Sequence, residues 1–233
     1  MSQAVHDMFQ SIAKRYDLAN DVLSFGVHRI WRHALIDFAR ISRGDAVLDL
    51  CTGTGKVARD AAHASGATGR VVGLDFVMPM LEIAEAETSE PNGTTAPIQY
   101  LRADAGCLPF ADGSFDVITM AYGIRNVDNA SESLREIHRV LKSKGQITIL
   151  EFGQPAIPVF SQLYTLYSQK VMPAIGGLVT GDRAAYEYLP RTSAAFPCGK
   201  KFLELLADAQ FQQTESRALF GGVAFLYRGL AAK

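Results

Sequence analysis

Apolar residues at Val5, Met8, Phe9, Ile12, Ala13 and Tyr16 recur every three or four positions and predict an amphipathic helix over residues 5–19. A second helix is predicted over 28–41, with Ile30, Trp31, Ala34, Leu35 and Phe38 on its apolar side and Gly44 beyond its end. The segment DVLSFG between them, residues 21–26, reads as a loop broken by glycine. After Gly44 the pattern changes to short apolar runs of strand length at 46–50, 70–74, 98–102, 115–122 and 146–152. Helical spacing fills 57–65, 79–87 and 130–141 between them, and the polar stretch 89–97 reads as a loop. A helix over 200–209 and strands over 213–219 and 222–227 complete the pattern.

Strand, helix, strand in repetition implies parallel pairing with helices on both faces. The expected fold is therefore α/β: a doubly wound, mostly parallel seven-stranded sheet forming one domain over 1–233. Two parts fall outside the rhythm. Residues 1–42 form an N-terminal helical segment on the substrate side. Residues 155–197, with Phe160, Tyr164, Tyr167, Tyr186 and Tyr188, are too long for a connection and read as a helical lid over the site. A packed core or a homodimer surface is an alternative use of the same aromatics.

Composition narrows the partners. Lys and Arg number 23 against 24 Asp and Glu, with no basic block, which argues against nucleic acid. Three widely spaced cysteines, Cys51, Cys107 and Cys198, without a Cys-x-x-Cys pair, suggest reduced thiols and no metal site. No stretch resembles a secretory signal or a spanning helix, so a cytoplasmic protein is expected, with contact at a membrane surface left open.

The chemistry is concentrated at AVLDLCTGTGKV, residues 46–57. A phosphate-binding loop would need Gly at the position of Leu50 and Ser or Thr at that of Val57, so phosphoryl transfer is excluded. Gly53, Gly55 and Ala58 do fit a dinucleotide fingerprint, with Asp75 twenty residues after Gly55. Against hydride transfer stands Asp49 at the strand end, a carboxylate that would repel a pyrophosphate. It suits S-adenosylmethionine, which carries a sulfonium and an ammonium. Asp75 is then placed for a ribose, with Phe76 after it, and Asp104 for an adenine amino group. Each acid also has a structural reading as a cap or turn former, and for Asp116 that reading is preferred.

Three motif groups, YDLANDVLSFGVHRIW at 16–31, YGIRNV at 122–127 and RVLK through LEF at 139–152, resemble the ubiquinone and menaquinone biosynthesis C-methyltransferase family. YEYLP at 186–190 and GGVA through RG at 221–229 are similar too, so the resemblance covers nearly the whole chain. It implies a class I, Rossmann-like methyltransferase that uses S-adenosylmethionine on a ring carbon of a polyprenylated quinol, either a demethylmenaquinol or a benzoquinol precursor of ubiquinol. It implies that Thr54, Asp75, Asp104, Ala105 and Ala121 bind the cofactor. It also leaves open methylation of another small aromatic, or a homologue that binds cofactor without turnover. The chain departs from the family at Lys56, where an acid is usual, at Gly106 in place of glutamate, and at Ser143-Lys144-Gly145 in place of Pro-Gly-Gly.

A ring carbon becomes nucleophilic when a neighbouring hydroxyl ionises, and a ring proton must later leave. Arg125, after the fourth strand, is the first candidate to stabilise that charge, working on a bound water because a guanidinium does not give up its own proton. Asn126 is placed to fix the water or a second hydroxyl, and the resemblance sets Tyr16 close to the substrate. His28 and His138 have the right chemistry for a base, yet a hydrogen-bonding role is preferred for His28 and a surface position for His138.

Overall fold

The computed structural model describes residues 3–88 and 93–232; the first four residues of the polar stretch expected at 89–97 lie outside the described residues. Helices α1 (Gln3–Ile12), α2 (Tyr16–Ser24) and α3 (Val27–Ala39) precede the sheet. The alternation then runs β1 (Ala46–Leu50), α4 (Lys56–Ser65), β2 (Arg70–Asp75), α5 (Met78–Glu87), β3 (Ile98–Arg102), β4 (Phe115–Ala121), α6 (Ala130–Val140) and β5 (Leu141–Phe152). Helices α7 (Pro158–Leu166), α8 (Met172–Thr180) and α9 (Arg183–Ala195) fill the insertion, and α10 (Lys200–Asp208), β6 (Phe211–Leu219) and β7 (Ala224–Ala231) complete the fold.

Seven strands form one sheet in the order β3-β2-β1-β4-β5-β7-β6. β1 to β5 pair in parallel, with Leu50 beside Leu74 on one side and Met120 on the other, while β7 runs antiparallel to both β5 and β6. The central strands are buried on both faces, which is why Ala46–Leu50 is apolar throughout apart from Asp49. The chain winds outward from β1 to β3 and then crosses back to β4, so β1 and β4 border the topological switch point, where such sheets bind ligands at their carboxyl ends.

Several boundaries differ from expectation. The single helix expected over 5–19 is two, α1 and α2, joined by a 3₁₀ turn at Ala13–Arg15. That turn shifts the helical phase, so Tyr16 faces inward to the site while Asp17 reaches the glycine turn. The expected loop at 21–26 is helical to Ser24, because two left-handed residues, Phe25 and Gly26, are enough to redirect the chain. β5 begins at Leu141, and a bulge between the Phe115–Leu141 and Val117–Gln146 pairs absorbs the Ser143-Lys144-Gly145 turn, with Lys144 at φ 64°. At the last hairpin Phe220–Gly222 is a tight turn, so β7 starts at Ala224 and not at 222.

Candidate functional site

The carboxyl ends of β1, β2 and β4 frame a narrow cleft. Gly53, at φ 54°, has nothing within 4 Å of where a Cβ would lie, so its backbone is open to a closely approaching ligand. Asp75 ends β2, with Oδ2 accepting from the Gly53 N–H (2.8 Å) and Oδ1 from the Val77 N–H (2.9 Å). Burial pushes its carboxyl upward, and these backbone donors oppose that. Asp75, Phe76, Asp104 and Ala105, with Cys51 and Val127, surround a pocket of about 10 Å³. A second pocket of about 50 Å³ is bounded by Gly53, Asp75, Ala121, Tyr122 and Asn126. Phe9 of α1 and Tyr16 of α2 close it from above, and the His6 ring meets Phe76 edge-on at 5.5 Å. Both pockets are narrow, and α1 and α2 lie over the second.

Three expected cofactor contacts do not line this cleft. Asp49 is 1% exposed, and its oxygens accept from the hydroxyls of Thr52 (2.6 Å) and Thr119 (2.7 Å) beneath the turn. Burial pushes its carboxyl up to about 7, and its place beneath the turn makes it a brace under the glycines rather than a group facing the cleft. Gly55 packs the turn against the sheet, since a Cβ there would run into the Tyr100 hydroxyl and Ala84. Thr54 is buried and donates to Asp17 of α2 (3.2 Å). Asp17 also pairs with Lys56 (2.9 Å). Asp17 thus ties the N-terminal helices to the glycine turn through both Thr54 and Lys56. Asp116 is structural: it accepts from the Ala46 N–H and from Lys142 Nζ.

Beside the cleft lies a second cavity of about 360 Å³, within the range of small-molecule sites. Its walls come from α1, α2, α3, the β4 and β5 ends and the insertion, and include Tyr16, Trp31, Phe152, Phe160, Tyr164 and Tyr186. Its charged group is Arg125, from the short turn Ile124–Asn126. Arg125 Nη1 donates to Glu151 Oε1 (2.6 Å) and to the Tyr122 carbonyl (2.7 Å), and the guanidinium lies 5.3 Å over the Phe152 ring. The ion pair is deep, with side chains 5% and 1% exposed, so the buried cation is neutralised by Glu151. Arg125 Nε is buried without a partner among the described residues. Burial pushes the Glu151 carboxyl up and Arg125 pulls it back.

Asn126 Nδ2 donates to the Tyr122 carbonyl (3.1 Å), and its Oδ1 accepts from the Tyr188 hydroxyl (3.1 Å), joining β4 to α9. Tyr16 is half-buried and lines both cavities, and desolvation raises its hydroxyl pKa. His28 reaches the cavity wall but is engaged with Ser24 Oγ (2.7 Å) and Asp21, and burial lowers its pKa, so it is neutral at pH 7. His138 is half-buried, edge-on to Phe211, away from both cavities.

Glu151 and Tyr122 are site residues that sequence reasoning passed over. Glu151 was legible as an acid inside an otherwise apolar strand, and Tyr122 as the aromatic directly before Gly-Ile-Arg-Asn. At the cavity mouth stand Phe25 (81% exposed) and Phe220 (63%), and α7 carries no buried residue, leaving Val159, Leu163 and Leu166 in solvent. No helix among the described residues is long and apolar enough to cross a membrane, and no group of His, Cys, Asp or Glu among them could hold a metal ion.

The model of the ubiE/COQ5 methyltransferase family matches residues 1–231. A Bdellovibrio bacteriovorus protein named ubiquinone/menaquinone biosynthesis C-methyltransferase UbiE is 42% identical over 228 residues, 97% of this chain and 95% of that protein. A protein of the same name from Geotalea uraniireducens is 40% identical over 97% of this chain and 96% of its own length. Among solved structures, an SAM-dependent methyltransferase from Thermotoga maritima superposes with a TM-score of 0.66 at 19% identity, covering 97% of this chain and 98% of that one.

Proposed function

The chain belongs to the ubiE/COQ5 methyltransferase family, and from that premise we propose that it transfers a methyl group from S-adenosylmethionine to a ring carbon of a polyprenylated quinol. The observation that carries the reading is the pairing of two cavities through shared walls: a polar cleft at the switch point, and an apolar aromatic chamber with one guanidinium. The cleft fits the cofactor. Asp75 would accept from the ribose hydroxyls, Phe76, Asp104 and Ala105 would hold the adenine end, and Gly53 and Ala121 would lie beside the sulfonium. When bound, S-adenosylmethionine supplies an electrophilic methyl group.

The chain's residues do the rest. The aromatic walls hold the quinol ring in line with the methyl donor. Arg125, fixed by Glu151 and the Tyr122 carbonyl, presents its remaining N–H groups to a ring oxygen or to the water beside it, so that charge can build on that oxygen. The methyl group would pass to the ring carbon, with the C–S electron pair retained on sulfur as a neutral thioether. The ring proton then leaves to water held near Arg125 and Asn126, which restores aromaticity. Tyr16 closes the chamber over the ring.

The exposed apolar residues at the mouth suit a substrate whose tail remains in lipid, and they support transient peripheral contact with a membrane surface. The deciding measurement is transfer of a radiolabelled methyl group to a demethylmenaquinol and, in parallel, to the methoxy-polyprenyl-benzoquinol precursor of ubiquinol. Incorporation into either supports the reading and identifies the ring. Calorimetric binding of S-adenosylmethionine without incorporation into either would sink it.

A further inference from the structure

Three side chains line both cavities: Phe9, Tyr16 and Tyr122. They form the partition between cofactor and ring, and Tyr122 is the member that the sheet itself positions. It follows β4 at φ 56°, a left-handed conformation that is an outlier for an aromatic side chain and persists only when its surroundings enforce it. Those surroundings are present. The Tyr122 N–H donates to the Leu150 carbonyl (2.8 Å), its own carbonyl accepts from Arg125 and Asn126, and its ring stacks on Phe152 at 4.5 Å between centroids.

The hydroxyl at the end of this fixed ring is buried and has no hydrogen-bond partner among the described residues. Buried hydroxyls are rarely left so, because an unmade hydrogen bond costs more than a made one returns. The polar groups near enough to influence it are Glu151, Tyr16, Arg125 and Tyr164. The ring's stacking partner Phe152 lines the large chamber and not the cleft, as do Arg125 and Tyr164, so the hydroxyl is assigned to the substrate side of the partition. Burial first, and Glu151 second, push its pKa well above the ordinary tyrosine value, so it is a donor and not a base at neutral pH.

We infer that the Tyr122 hydroxyl is a substrate-binding donor that hydrogen-bonds an oxygen on the aromatic ring of the methyl acceptor. The chemistry of that acceptor rests on the quinol reading above. Tyr122 and Arg125 would then engage the ring's oxygens from one stretch of chain, Tyr122 through its side chain and Arg125 through a guanidinium anchored on Tyr122's own carbonyl. Such a donor fixes the ring's rotation, and with it which carbon meets the methyl group.

Tyr122→Phe keeps the stacked ring and removes only the hydroxyl. Calorimetric titration with 2-prenyl-1,4-naphthoquinone, which offers oxygen acceptors and cannot be methylated, is compared with 2-prenylnaphthalene, which has no oxygen. The variant is expected to bind the quinone about tenfold more weakly than the wild type, and the hydrocarbon and S-adenosylmethionine equally well. Equal quinone affinity in the two proteins overturns the role of Tyr122 while leaving the quinol reading intact. A variant that loses the hydrocarbon and the cofactor together marks the hydroxyl as structural and overturns it too. Failure of the wild type to bind the quinone while it binds the hydrocarbon overturns this inference, and the methyl-transfer assay then decides the quinol reading separately.

Discussion

The cofactor cleft and the aromatic chamber share a wall but are built on opposite principles. The cleft is made of strand ends and turns, and its contacts come from short stretches at 51–53, 74–77, 103–105 and 121–127 that the sheet register brings together. The chamber is made of helix faces, drawing on α1, α2, α3, the insertion and the final hairpin. One is defined by backbone geometry that tolerates little change; the other by side-chain volume that can be repacked. The same protein thus carries a fixed reagent site and an adaptable substrate site, and the charged pair Arg125–Glu151 stands where they meet.

That contrast breaks most severely at Arg125. Arg125→Ala is expected to lower turnover at saturating cofactor by about 10²–10³-fold, with cofactor dissociation little changed. It should also cost about 3–5 kcal/mol of stability, because Glu151 is left buried and unpaired. The double variant Arg125→Ala, Glu151→Leu separates the two effects: thermal stability should recover while methyl transfer does not. Recovery of both would make the pair purely structural.

Asp75→Asn sharpens the division from the other side. With the charge-assisted bonds to a ribose weakened, cofactor affinity by calorimetry should fall about 10- to 100-fold, and quinone affinity should stay the same. A parallel loss of quinone binding would mean that the cleft and chamber are one site.

Asp49 tests how far the cleft extends beneath its surface. Its folded value of about 7 exceeds the ordinary 3.8, so its contribution to stability is full below pH 4 and is lost as pH rises through 7. Asp49→Asn should flatten that decline in a series of melting temperatures. A bound sulfonium and ammonium favour the carboxylate, so cofactor affinity should rise about tenfold from pH 6 to pH 8 in the wild type and stay level in the variant. The smallest effect belongs to Lys56→Ala. Its half-exposed pair with Asp17 is worth at most about 1 kcal/mol, so cofactor release in stopped flow should quicken about two- to fivefold.

Legibility followed the same division. The cleft was readable because Gly53, Asp75, Asp104 and Arg125 each sit at the end of an apolar run, and parallel pairing puts such ends together. Asp49 misled because position along a strand does not reveal depth: Thr119, seventy residues away, takes one of its oxygens. The chamber was readable only as an aromatic-rich insertion, since which tyrosines face inward depends on helix phase and on breaks such as Ala13–Arg15. Glu151 was visible as an acid in a strand, but its role was not, because its partner Arg125 lies on the neighbouring strand's exit turn. Lys56 was readable only as a departure, because its partner Asp17 lies on a helix whose approach to the glycine turn the sequence does not show.

Phe9 and Tyr16 couple the two volumes, because the same helical arm roofs the cleft and walls the chamber. A substitution at either side chain reshapes both volumes at once, so cofactor and quinol affinities are expected to change together there, whereas changes deep in either cavity should act on one ligand alone.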